Sequence, residues 1–245
     1  MDIADLASHI DHTVLQPDAR RSDIERACEV ARRLGCAGVC VNPIHVALAS
    51  QLLKGSSVLV VGVVGFPFGA THTAVKVLET ELAIRDGADE VDMVIAIGQL
   101  RDGQLESVEA DIAAVVRAAA GRPVKVIVEC GLLSDAQKRD AAQTAVKAGA
   151  AFVKTSTGFL GSGATVHDVT LLHEAVGTRL SVKATGGIRF FEDAVALIEA
   201  GASRIGASRT EAILGSRVDG VVPSQPLPSA LDPAHDTRAE RPAGS

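Results

Sequence analysis

Lys147-Ala-Gly-Ala-Ala-Phe-Val-Lys154 holds the end of a helix, the glycine that stops it and the strand that follows. Gly149 offers the left-handed backbone with which helices commonly end, and the apolar residues behind it read as a strand. The same order recurs at Leu34-Gly35 before Gly38-Val-Cys-Val41, at Arg85-Asp-Gly-Ala-Asp-Glu-Val91 and at Glu199-Ala-Gly-Ala-Ser-Arg-Ile205. Between these lie apolar runs at 58–64, 124–128 and 181–184, with helical patterns such as 21–34, 134–148 and 190–200. With a short first strand near Ile10, the strands centre near residues 10, 39, 60, 92, 126, 153, 182 and 205. Alternation of strand and helix predicts a parallel sheet with crossover helices. Eight such units favour a single-domain α/β fold, a closed (β/α)8 TIM barrel over 1–215, with an open doubly wound sheet as the alternative.

Composition agrees. Hydrophobic residues make up 47% of the 245 residues but aromatics only 2%, with no Trp and no Tyr, so the core must be built from Val, Ile, Leu and Ala. Those are the residues of buried parallel strands under helices. A net charge of -6 without a basic cluster argues against a nucleic-acid partner. Cys28, Cys36, Cys40 and Cys130 form no CxxC pair, nothing near Met1 reads as a signal peptide, and the longest apolar run is of strand length. A cytoplasmic protein with reduced thiols and no membrane partner is the expectation. After Gly215 the chain turns to Pro, Ala, Ser, Asp and Arg, and 216–245 reads as a Pro/Ala-rich, largely disordered tail.

In such a barrel the chemistry lies at the C-terminal ends of the strands. The polar residues there are Asp11, Asn42, Asp92, Glu129, Lys154, Lys183 and Ser208. Lys154 ends Ala151-Phe-Val-Lys and Lys183 lies in Ser181-Val-Lys-Ala, so both can point inward at similar height from adjacent strands. Each could simply pair with a carboxylate. The pair also suits nucleophilic catalysis, because an amine must lose its proton to attack a carbonyl and a free lysine titrates near 10.4. At about 5 Å and an effective dielectric of about 20, a second ammonium opposes protonation by about 3 kcal/mol, roughly two pKa units. Asp92, in Glu90-Val-Asp-Met-Val, alternates inward and can relay protons, serve as counter-ion, or do both. Lys125 lies early in its strand and is read as structural, with Glu129 as its candidate partner.

Lys154-Thr-Ser-Thr-Gly158, Ala184-Thr-Gly-Gly-Ile188 and Ile205-Gly-Ala-Ser208 follow the last three strands, and their small residues let backbone N–H groups approach a phosphate. His9, His12, His45, His72, His167, His173 and His235 form neither HxH nor HExxH, so no catalytic metal and no cofactor is expected. Cys40 reads as a small core or pocket residue.

Five segments in one order, Val63-Val-Gly-Phe-Pro-Phe-Gly69, Glu90-Val-Asp-Met93, Val126-Ile-Val-Glu129, Phe152-Val-Lys-Thr-Ser-Thr-Gly158 and Val182-Lys-Ala-Thr-Gly-Gly-Ile-Arg189, carry a resemblance to the deoxyribose-phosphate aldolase family. It runs from Ile10-Asp-His-Thr13 to Gly206-Ala-Ser208. The resemblance implies reversible cleavage of 2-deoxy-D-ribose 5-phosphate to D-glyceraldehyde 3-phosphate and acetaldehyde through a lysine Schiff base. It assigns the imine to Lys154, depression of its pKa to Lys183 and proton relay to Asp92. It further implies that Asp11, Thr13 and Cys40 line the sugar pocket, that Gly158, Gly186, Gly187 and Ser208 hold the phosphate, and that the enzyme is a homodimer. Some members of that family carry a lysine after the Thr-Ser-Thr-Gly segment and a C-terminal tyrosine; this chain has Phe159 and no tyrosine. Rival readings are another phosphate-binding barrel aldolase of the Schiff-base class, a metal-dependent aldolase, and a catalytically silent sugar-phosphate binder.

Overall fold

The computed structural model describes residues 1–216. Eight parallel strands, β1 (Ile10–Val14), β2 (Gly38–Val41), β3 (Leu59–Val64), β4 (Glu90–Val94), β5 (Val124–Ile127), β6 (Phe152–Lys154), β7 (Ser181–Thr185) and β8 (Arg204–Ala207), close in sequence order, with β8 pairing back to β1. The closed barrel is the one expected, and the open sheet is excluded. Around it run α1 (Ile3–Ser8), α2 (Arg21–Leu34), α3 (Val46–Leu53), α4 (Thr73–Arg85), α5 (Ile97–Arg101), α6 (Leu105–Ala118), α7 (Asp135–Lys147), α8 (Val166–Val176), α9 (Phe191–Glu199) and α10 (Thr210–Gly215). None of the described helices is long and apolar enough to cross a membrane.

The local rules that build these elements are legible. Helix α2 buries Ile24, Ala27, Cys28 and Ala31, the spacing of one helical face, and stops at Gly35 with φ of 70°. Helix α7 starts with a reciprocal cap, in which Ser134 Oγ accepts from the Gln137 N–H and Gln137 Oε1 accepts from the Ser134 N–H. In the other three repeats the glycine stands one residue past the cap: Asp86, Ala148 and Ala200 cap the helices, and Gly87, Gly149 and Gly201 turn the chain. Outward-facing Val91, Met93, Val126, Val153, Val182 and Ile205 join one buried apolar cluster under the helices. The expected tail falls, from residue 217 on, outside the described residues. Ser216 belongs to the barrel, because its Oγ accepts from the Phe191 N–H.

Candidate active site

The inner face of the barrel is charged where a small barrel is ordinarily filled by branched apolar side chains. Period-two alternation aims Glu90 and Asp92 inward from β4, and the register sets Asp92 against Lys125, Lys154 against Lys183, and Lys183 against Arg204. Asp92 is fully buried. Its Oδ1 accepts from Lys125 Nζ at 2.9 Å, and its Oδ2 accepts from both Lys154 Nζ at 2.9 Å and Lys183 Nζ at 2.8 Å. Lys183 also donates to Asp11 Oδ2 at 2.6 Å, Arg204 spans Asp11 Oδ1 and Glu90, and Lys125 reaches Glu90 Oε2 at 2.5 Å. Small residues make the room. A Cβ at Gly38 would lie 2.9 Å from Asp11 Oδ1, and one at Gly206 would lie 2.4 Å from Thr185 Oγ1.

Charge counting identifies the odd amine. Lys125, Lys154, Lys183 and Arg204 face Asp11, Glu90 and Asp92, four cations against three carboxylates. Uncompensated charge is costly in a buried site, so the network is balanced when one lysine is neutral. Lys154 is the one without a second carboxylate, and it shares its only one with Lys183. Burial, the largest cause, pushes the Lys154 pKa down; Asp92 opposes this, the charge on Lys183 adds to it, and the net shift is downward. Burial thus outranks the second ammonium, which sequence reasoning had made the main cause. Burial also opposes charge on Lys183, but Asp11 and then Asp92 outweigh it and hold that pKa above the ordinary lysine value. For Asp92, burial favours the neutral acid, yet Lys125, Lys154 and Lys183 together keep it ionised well below the usual range. The arrangement pairs a poised nucleophilic amine with a fixed ammonium and a carboxylate.

Asp11 is fully buried with both oxygens engaged by Lys183 and Arg204. Thr13 donates its hydroxyl to Asp11 O and, with exposed Ser208, lines a cavity of about 500 Å³ between the loops after β1 and β8. Cys40 is buried beside Lys183 and Lys154, and burial pushes its thiol up to about 11. Gly158, Gly186 and Gly187 have φ of 82°, 97° and 75°, and the loops after β6 and β7 touch, a Cβ at Gly163 falling 2.2 Å from Gly186 O. Glycines of positive φ give these loops a backbone that other residues rarely adopt, and without side chains they allow close approach to the backbone. Asn42 holds the loop after β1 by donating to Leu15 O.

One pairing is corrected. Lys125 binds Glu90 and Asp92, not Glu129, because the register puts Asp92 beside it while Glu129 turns at φ of 59° toward the loop after β6. Sequence reasoning also missed Glu90 and Arg204 as members of the network. Glu90 carried a signal, sharing the parity of Asp92, whereas a single arginine at the start of β8 carried none.

The family model for DeoC/LacD family aldolases matches residues 6–215. Deoxyribose-phosphate aldolase 1 of Bacillus licheniformis is 57% identical over 204 residues, covering 83% of this chain and 92% of that protein. The deoxyribose-phosphate aldolase of Streptococcus pneumoniae is 53% identical over 216 residues, covering 88% of this chain and 98% of its own. Among solved structures, the tetrameric deoxyribose phosphate aldolase of Aeropyrum pernix superposes with a TM-score of 0.83 at 33% identity, covering 88% of this chain and 92% of that one. The chain belongs to the DeoC/LacD family of aldolases.

Proposed function

We propose that this enzyme reversibly cleaves 2-deoxy-D-ribose 5-phosphate to D-glyceraldehyde 3-phosphate and acetaldehyde through an imine on Lys154. One observation carries the reading: Lys154, with its pKa lowered, shares Asp92 Oδ2 with Lys183, whose pKa is raised. The neutral amine attacks the C1 aldehyde of the open-chain sugar, and loss of water leaves a protonated imine. The C3 hydroxyl then gives up its proton, the C2–C3 bond breaks, and its electron pair passes into the imine to form an enamine while D-glyceraldehyde 3-phosphate departs. Protonation at C2 and addition of water release acetaldehyde and the amine. Asp92 relays these protons, and its depressed pKa suits it to passing protons on rather than keeping them. Lys183 remains an ammonium throughout, held by Asp11. Thr13 and Cys40 face the sugar, Asp11 acts on it through Lys183, and Gly158, Gly186, Gly187 and Ser208 take the phosphate.

The test is chemical. Incubation with acetaldehyde, borohydride reduction and peptide mass spectrometry should give a single ethyl adduct on Lys154, absent without aldehyde and insensitive to chelator. An adduct on Lys125 or Lys183 instead would overturn the assignment, and a panel of donor aldehydes and ketones separates this reading from other Schiff-base aldolases. The enzyme is proposed to be cytoplasmic and a homodimer, with sedimentation to decide between that and the tetramer of its Aeropyrum pernix relative.

A further inference from the structure

Two residues past Ile127 on β5, Glu129 is fully buried and stands at φ of 59°, one of two non-glycine residues with positive φ among those described. A non-glycine residue held there costs on the order of 1 kcal/mol or more, so the surrounding structure must enforce it. The enforcement comes from the segment after Lys154. Flanking N–H groups of Val128 and Cys130 donate to Lys154 O at 3.0 Å and Thr155 O at 2.8 Å, and Glu129 Oε2 accepts the N–H of Thr157 at 3.0 Å. Its other oxygen, Oε1, is buried without a hydrogen-bond partner among the described residues. Neither the imine chemistry nor the ion network uses this carboxyl.

We propose that Glu129 is a positioning residue for the phosphate end of the substrate: it fixes the backbone of Thr157 and Gly158 so that the loop after β6 presents its amides to the phosphate. This rests on the phosphate site proposed above. An ionised carboxylate so close would repel the ligand. Burial, outweighing the hydrogen bonds from Thr157 and the charge on Lys154, raises the Glu129 pKa above the ordinary glutamate value and so works against that repulsion. In either protonation state the carboxyl accepts the Thr157 N–H through Oε2.

The experiment compares 2-deoxy-D-ribose 5-phosphate with unphosphorylated 2-deoxy-D-ribose for wild type, Glu129→Gln and Glu129→Gly. Glycine suits the positive φ, and the backbone strain it relieves offsets part of the cavity left by the lost side chain, so folding should survive. The expected result is a rise in KM of about tenfold for the phosphorylated sugar in Glu129→Gly, the scale of one lost hydrogen bond, with kcat within about threefold. The value of kcat/KM on the unphosphorylated sugar should not change, and Glu129→Gln, which keeps an acceptor for Thr157, should stay within about threefold of wild type on both. Equal losses on the two sugars, or a fall confined to kcat, would overturn the proposal. Should Glu129→Gly not fold, Glu129→Asp, one methylene short of Thr157, must show the same phosphate-selective rise. A wild type inactive on the phosphorylated sugar would instead overturn the substrate reading beneath it.

Discussion

Lys76 and Lys154 are both lysines whose side chains are withdrawn from solvent, and both end on a buried aspartate, yet they are built for opposite ends. Lys76, on α4, donates to Asp111 Oδ2 at 2.7 Å and to Val94 O at 2.9 Å, and Asp111 Oδ1 in turn accepts the Thr73 hydroxyl. Each charge there has a partner of its own, and the pair pins α4 and α6 to the end of β4. Lys154 has only an oxygen that Lys183 also claims. Burial alone therefore does not make an amine reactive; burial with a divided counter-ion does, because the neutral amine is then the form that balances the site.

The largest effect should come from removing the proposed nucleophile. Lys154→Ala is expected to lower kcat by about 10,000-fold or more and to abolish borohydride trapping, since an amine that forms a covalent intermediate has no substitute. Lys76→Met should do the reverse: unfolding free energy falls by about 3 to 5 kcal/mol, the usual consequence of stranding a buried charge, while turnover per folded molecule stays within about twofold. Denaturant titration beside active-site counting reads both. A large loss of turnover in Lys76→Met would end the contrast between the two lysines.

Lys183→Met tests whether division of the counter-ion matters. Removing Lys183 leaves three cations, Lys125, Lys154 and Arg204, for three carboxylates, so Lys154 becomes the cation that Asp92 requires. Its pKa then rises, because the Lys183 charge that pushed it down is gone and Asp92 Oδ2 is left to Lys154 alone. The neutral amine is the reactive form, so the rising limb of the pH–rate profile should move to higher pH. Activity at neutral pH should fall roughly a hundredfold, the scale of one ammonium's Coulomb effect at close range, and part of it should return on raising the pH. A loss that no pH restores would mean that Lys183 acts in proton transfer rather than through Lys154.

Much of this contrast was legible in the sequence, and unevenly. Helix, glycine and strand repeat on local rules, so the barrel could be read from Gly35, Gly87, Gly149 and Gly201, and alternation alone sent Asp92, Lys154 and Lys183 inward. Partnership was harder. Glu129 shares the parity of Lys125 and was the natural partner by alternation, but a left-handed turn at that residue, invisible in its identity, carried the carboxyl to Thr157. Arg204 and Lys76 have partners supplied by distant strands and helices, Glu90 and Asp11 for the first and Asp111 for the second, and pairings across more than thirty positions leave no local pattern.

The smallest effect sharpens the structural side of the contrast. Asp111 must keep its charge for Lys76, and the hydroxyl of Thr73, at the first turn of α4, supplies its second hydrogen bond at 2.7 Å. Thr73→Val keeps the branched shape and deletes that donor, leaving Asp111 Oδ1 without the hydroxyl it accepts. A hydrogen bond to a charged acceptor contributes about 1.5 kcal/mol or somewhat more, so Tm should fall by about 5 °C in a chain of this size. The pH–rate profile should be superimposable on that of wild type, because nothing in the Lys154 network touches Thr73. A shifted profile would show that the Lys76 pair and the Lys154 network communicate through β4, and that the separation between a pinning lysine and a reactive one is less complete than their partners suggest.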